Sequence, residues 1–292
     1  MASPMPRLKL TLAYVGTAFM GWQSQPGGHT VQDALEAALS RVCDERIRCK
    51  GAGRTDAGVH ALGQTAHADV PGSRLHVDWR LALNSQLPRT VNVLDARVVP
   101  DSFDAQFCAL GKSYTYALWP ERSFCLPQRL PFVWKCGPLD VARLREAAAL
   151  LEGRHDFASF MNRGTPVACT VRRLSRIEVS ECPPLLPGLP GEIVLRFTAD
   201  GFLKQMVRNL TGCLVLAAKG RLSLADVRGI LEARDRTCAP ETAPPTGLTL
   251  ERVDYGEDGL GRDRRKDRHA AEHAAEDTTE DADGGEDGAR KC

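Results

Sequence analysis

Residues 51–64 read Gly51-Ala52-Gly53-Arg54-Thr55-Asp56-Ala57-Gly58-Val59-His60-Ala61-Leu62-Gly63-Gln64. One carboxylate, Asp56, stands among glycines at 51, 53 and 58, with Arg54 two residues before it. Glycine admits backbone conformations closed to other residues and lets a partner come close to the main chain. An aspartate held in such a loop can be presented to a ligand, and Arg54 is placed to pair with it. A tight turn carrying a surface ion pair fits the same composition.

Working outward, apolar residues at 8, 10, 12 and 14 alternate with the period of a half-buried strand. Thr30-x-x-Asp33 has the form of a capping box, opening a helix with Leu35, Ala38, Leu39 and Val42 on one face. Residues 47–50 and 64–70 read as strands entering and leaving the Asp56 loop. A helix over 77–85, stopped near Pro88, and a strand over 91–99 follow. The second half repeats this grammar, with strands over 114–119, 171–179, 193–199 and 248–255. Its helices are expected over 139–151, 202–219 and 223–233, and the four prolines within 183–191 mark a hairpin loop. Two successive α+β units result, with boundaries at 8–100 and 101–255.

At 292 residues with 43% apolar content the chain can build a sizeable core. No run approaches the roughly 18 apolar residues of a spanning helix, so a membrane protein is not expected. A strand-like run by Leu8 leaves no room for a signal peptide. The ten cysteines are scattered without a CxxC or zinc-like pairing, and are expected as reduced, small apolar residues with no metal site. Residues 256–292 carry 7 Lys+Arg against 12 Asp+Glu, which leaves residues 1–255 with a net charge of +6. A mildly basic body suits a polyanionic partner. The acidic tail, almost without large apolar residues, is expected to be disordered.

Other segments add to the central loop, in chain order. They are Tyr14-x-Gly16-Thr17-x-Phe19-x-Gly21-Trp22-Gln23, Val31-Gln32-x-x-Leu35-Glu36 and Leu83-Asn84-x-x-Leu87-Pro88. Lys112-Ser113-Tyr114-Thr115-Tyr116 and Asp156-Phe157-x-x-Phe160 follow. Phe202-Leu203-x-x-Met206-Val207-Arg208-Asn209 and Ala243-Pro244-Pro245-x-Gly247-Leu248 complete the set. Together, over about residues 8–255, they resemble the TruA family of tRNA pseudouridine synthases.

The resemblance implies one continuous, mainly antiparallel sheet across both units, with helices on one side and an RNA-binding cleft on the other. It implies a cofactor-independent isomerase that flips a uridine of the tRNA anticodon stem-loop, at positions 38, 39 and 40, into a pocket. A homodimer in the cytoplasm is implied as well, an organellar location being left open. Asp56 takes the place of the catalytic aspartate, whether it attacks the sugar, adds to the base or removes a ribose proton. Tyr114 takes that of the active-site tyrosine expected to stack on the base. Tyr116 shares its parity, so the strand pattern alone does not choose between them.

Helical period places Arg208, with Lys204 and Gly212, opposite the apolar stripe of Met206, Leu210, Leu214 and Ala217, which by pattern is a solvated face. The resemblance instead pairs Arg208 with Asp56 across the cleft. Arg54 and Lys204 are expected to contact substrate. At Gln106 many family members carry an arginine, so a hydrogen-bonding group replaces a charge there. His60 and His67 read as loop or strand residues. The rival is a non-catalytic tRNA-binding or tRNA-folding module on the same scaffold. A glycosidase is disfavoured, because no second acid accompanies Asp56.

Overall fold

The structure, a computed structural model, describes residues 5–164 and 167–263. In chain order the first half comprises β1 (Arg7–Tyr14), α1 (Val31–Cys43), β2 (Cys49–Gly51), β3 (His60–Asp69), α2 (Trp79–Gln86) and β4 (Val91–Val99). The second comprises β5 (Gly111–Trp119), β6 (Trp134–Lys135), α3 (Val141–Leu151), β7 (Gly153–Asp156), β8 (Val171–Glu181), β9 (Ile193–Ala199), α4 (Met206–Ala218), α5 (Leu224–Ala233) and β10 (Leu248–Asp254).

Alternation made β1. Leu8, Leu10 and Leu12 are fully buried, and β1 pairs antiparallel with both β3 and β4. The capping box forms as read: the Thr30 side chain accepts from the Asp33 N–H while the Asp33 carboxylate accepts at the Thr30 N–H. Leu35 and Leu39 of α1 then enter the same core as the β1 leucines.

The ten strands of the described residues belong to one sheet, ordered β4-β1-β3-β10-β5-β9-β8-β7, with β2 on β3 and β6 on β5. The expected α+β class and continuous, mainly antiparallel sheet are present. The parallel contacts are β10 with β3 and β6 with β5. The join between halves is β10. It runs parallel to β3 through Thr249↔His60 and Leu250↔Ala61, and antiparallel to β5 from Leu248↔Tyr116 to Asp254↔Gly111. A strand assigned by sequence to the second unit is thus shared by both.

One face of the central strands carries Tyr114, Tyr116, Leu248, Leu250, Leu195 and Phe197, all buried in the core that also holds the apolar side of α4. The opposite face of the second half carries polar side chains instead, with Arg196 bridging Glu178 and Glu251. The cleft lies between α1 and α4, lined by Gln32 from the first and by Met206, Val207 and Arg208 from the second.

The chain does not trail away at 256. Lys9 Nζ and Arg97 donate to the Gly259 carbonyl, and Leu260 packs on a second cluster around Phe103, Cys108 and Tyr255. Residues 256–261 thus form a strap on the first half, where composition suggested disorder. The rest of that expectation falls on 264–292, outside the described residues.

Cys43, Cys49, Cys108, Cys136 and Cys213 are buried thiols that pack as small apolar groups. Burial pushes the Cys136 thiol up to about 11 and that of Cys213 up to about 12, and raises Cys49 as well. Above pH ~9 an unfolded chain loses these protons while the folded one keeps them, so the thiols' contribution to stability falls as pH rises. Each thiol contributes a slope of up to about 1.4 kcal/mol per pH unit. Denaturant titrations from pH 7 to 11 should show a decline beginning near pH ~9, flattened in Cys213→Ala. An unchanged slope in that variant would sink the attribution.

Candidate active site

The loop between β2 and β3 is held from three sides. The Ala52 N–H donates to the Thr65 carbonyl (2.7 Å), and Gln64 Nε2 donates to the Gly53 carbonyl (2.8 Å). From β5, Lys112 Nζ donates to the Ala52 carbonyl at 2.8 Å. The segment after β1 clamps the far side. The Trp22 N–H donates to the Thr55 carbonyl (3.0 Å), and the Tyr14 hydroxyl lies 2.8 Å from Thr55 Oγ1.

Gly21 shows why that segment needs glycine. It has φ of 88°, and an added Cβ would lie 2.5 Å from the Thr55 carbonyl oxygen. The Tyr14–Gln23 motif thus holds Thr55 and therefore Asp56.

Asp56 Oδ2 accepts from the Arg208 guanidinium at 2.9 Å, joining residues from the two halves. The carboxylate side chain is 31% exposed and the guanidinium 12%. The partner of Asp56 is therefore Arg208 and not Arg54, which is exposed.

The solvated-face reading of Arg208 is overturned too. Residues 241–243 lie against that side of α4: Arg208 Nε donates to the Ala243 carbonyl (2.7 Å), and a Cβ on Gly212 would overlap the Glu241 carbonyl. A periodicity count within one helix cannot see a polar segment that packs on it from 30 residues away. Lys204 is not on the helix. The Met206 N–H closes a turn on the Leu203 carbonyl (3.1 Å), Gln205 sits at φ 59°, and α4 starts at Met206. Lys204 Nζ donates to the Arg163 carbonyl at 3.0 Å.

Tyr114 and Tyr116 separate clearly. Tyr116 is fully buried and its hydroxyl donates to the Pro244 carbonyl at 2.6 Å, so it anchors the loop before β10. Tyr114 lies at the cleft wall, 8% exposed, with its ring 5.0 Å from that of Phe202 in an edge-on arrangement. Burial, reinforced by Tyr14 and Asp56, raises its phenol well above the usual range, so it is protonated at neutral pH. His60 and His67 are buried in β3, where Nδ1 of each accepts a backbone N–H, from Gly16 and Ala105 respectively.

The cleft has a volume of about 710 Å³, and all six sequence-predicted residues line it: Arg54, Asp56, Gln106, Tyr114, Lys204 and Arg208. That volume suits a small organic ligand such as a nucleoside. Gln106 is exposed, its backbone N–H donating to Asp104 Oδ1. Lys112 and Phe202 also line the cleft. Both occur in the segments that carry the resemblance, and Lys112 stands two residues before Tyr114 and so on the same strand face. An anion, a neutral phenol and a guanidinium over an aromatic wall can bind a planar base and carry out acid–base or nucleophilic chemistry beside it.

Residues 11–108 and 147–256 match the model of a family described as tRNA pseudouridine synthase. Asp56 and Arg208 lie inside the matched segments, and Tyr114 lies between them. A tRNA pseudouridine synthase A from Oleidesulfovibrio alaskensis is 48% identical over 274 residues, covering 87% of this chain and 98% of that protein. One from Solidesulfovibrio magneticus is 50% identical over 261 residues, covering 88% and 93%. One from Allorhizobium ampelinum is 40% identical over 265 residues, covering 90% and 100%.

Proposed function

The chain belongs to the tRNA pseudouridine synthase family, and on that premise we propose that its cleft receives a flipped uridine of the tRNA anticodon stem-loop, with Asp56 as catalytic nucleophile or base. The protein isomerises uridine to pseudouridine in tRNA. The reaction breaks the C1′–N1 bond, forms C1′–C5 and moves a hydrogen from C5 to N1, so atoms and electrons balance within the nucleotide.

The observation that carries the residue assignment is the Asp56–Arg208 ion pair at 2.9 Å. It leaves a partly exposed carboxylate facing the cleft while the guanidinium balances and orients it. Tyr114 stacks on the base, its protonated hydroxyl available as a donor. Arg54, Lys204 and Gln106 contact the RNA around the opening. Positions 38, 39 and 40 are the proposed targets, and a cytoplasmic homodimer the proposed working form. Among the described residues no helix is long and apolar enough to cross a membrane.

Mapping pseudouridine at single-nucleotide resolution after incubation with unmodified tRNA tests the regiospecificity. Conversion confined to sites outside the anticodon stem-loop would refute it.

Tyr114 supplies a second test. Base stacking on an aromatic side chain is worth ~1–3 kcal/mol, so Tyr114→Leu should lower the single-turnover rate about 10- to 100-fold. Tyr114→Phe keeps the ring. A large loss there assigns the hydroxyl a part in proton transfer or binding, whereas a small loss leaves stacking dominant. Native rates in Tyr114→Leu would remove both roles.

A further inference from the structure

The Arg208 guanidinium is bonded to a carbonyl, and a set of polar groups surrounds the segment that carries it. Its Nε is bound to the Ala243 oxygen, and the Ala243 N–H returns a hydrogen bond to the Arg208 carbonyl at 3.2 Å. One residue earlier, Thr242 Oγ1 donates to Asn209 Oδ1 at 2.7 Å. Asn209 is fully buried and follows Arg208 on α4. Its amide donates to the Phe160 carbonyl (2.8 Å) and to Asn162 Oδ1 (2.9 Å).

Arg236 closes the set. Its guanidinium donates to Asn162 Oδ1 (2.8 Å), to Thr242 Oγ1 (3.1 Å), to Asn209 Oδ1 (3.2 Å) and to the Ala239 carbonyl (3.0 Å). Asn162 also donates to Gln205 Oε1, at the left-handed residue that starts α4.

Apolar side chains could fill this volume without the desolvation that a buried amide and a guanidinium require. Polar networks satisfied at every member fix geometry more narrowly than apolar packing does. The network lies directly behind the Ala243 carbonyl. We propose that Arg236, Thr242 and Asn209 are positioning residues that set the Ala243 carbonyl and so aim Arg208 at Asp56. This inference rests on the proposed Asp56–Arg208 site. The neighbouring lone arginine in α4, Arg208, reads the substrate side, while Arg236 acts only through it.

The test uses the full chain with Arg236→Ala, Thr242→Val and Thr242→Ser, each alone and combined with Arg208→Ala. Single-turnover rate, tRNA Kd and thermal unfolding are measured for each. Misplacement of a reacting group by about 1 Å can cost ~100-fold, so Arg236→Ala and Thr242→Val should lose roughly 10- to 100-fold in rate well below their unfolding temperatures. tRNA Kd should stay within about threefold, because Arg236 and Thr242 are half-buried, bonded within the protein and not part of the cleft lining. Thr242→Ser keeps the hydroxyl and should restore most of the rate.

In the Arg208→Ala background the further loss should be under about twofold, since no guanidinium remains to be aimed. Native rates in folded Arg236→Ala and Thr242→Val would overturn the inference, as would equal losses in both backgrounds. Should Arg236→Ala not fold, the Val and Ser variants at 242 decide alone, and a Ser variant as slow as Val counts against it. If Arg208→Ala itself works at the native rate, the site reading fails instead, and the two failures are told apart.

Discussion

Purified Asp56→Asn protein should bind unmodified tRNA almost as tightly as the parent and convert uridine slower by on the order of 10⁴-fold or more, the loss of a nucleophile or base. The change is nearly isosteric, and the amide oxygen can still accept from Arg208, 2.9 Å away in the parent. Nothing else in the loop depends on the charge, because Ala52, Gly53 and Thr55 are held through backbone groups and the Tyr14 hydroxyl. Affinity for tRNA comes chiefly from phosphate contacts spread over a basic surface, which the substitution leaves in place. Gel-shift binding and single-turnover conversion on one preparation check both halves of the expectation. A near-native rate would end the assignment of Asp56.

Arg208→Ala should rank second, with a rate loss of about 10²- to 10³-fold at saturating tRNA, the range for removing a preorganised donor from a site. Its guanidinium reaches both the Ala243 carbonyl and Asp56, so truncation frees the carboxylate and leaves the carbonyl without its donor. Breaking a fully buried pair costs ~3–5 kcal/mol. Here the carboxylate is 31% exposed, and solvent reduces the stability cost to about 1–2 kcal/mol. Arg208→Lys should recover little, because a single ammonium cannot reproduce the fork that serves two acceptors at once. Thermal melts beside single-turnover assays separate the two effects. A folded Arg208→Ala variant with native turnover would refute the pairing as functional.

The parts of this molecule that were legible in sequence are those that local chemistry decides. Alternation at 8, 10, 12 and 14 became β1, and Thr30 with Asp33 capped α1. Asp56, Tyr114 and Arg208 came from the family resemblance, and the cleft does bring them together. What escaped depends on distant chain. β6 and β7, of two and four residues, are too short to show a period. The start of α4 was set too early because Phe202 and Leu203 extend its apolar stripe, while the left-handed Gln205 interrupts the helix. The polar strip along Arg208 and Gly212 looked solvated because its cover, 241–243, is contributed from beyond α5. The strap at 256–261 was missed for a similar reason, since a glycine carbonyl caught by Lys9 and Arg97 leaves no trace in composition.

The place of β10 bears on how such a chain is made. Among the described residues both edges that this strand joins, β3 and β5, precede it in the chain, but the hydrogen-bonded ladder passes from one to the other only through β10. Until Leu248 to Asp254 leave the ribosome, a nascent chain therefore has two half-sheets with exposed edges, each a template for unwanted pairing. Their union waits on contacts such as Thr249 with His60, about 190 residues apart in sequence. Contacts of that separation slow folding. Late arrival of the seam means that a polypeptide released just short of it would carry Asp56, Tyr114 and Arg208 and still possess no assembled cleft.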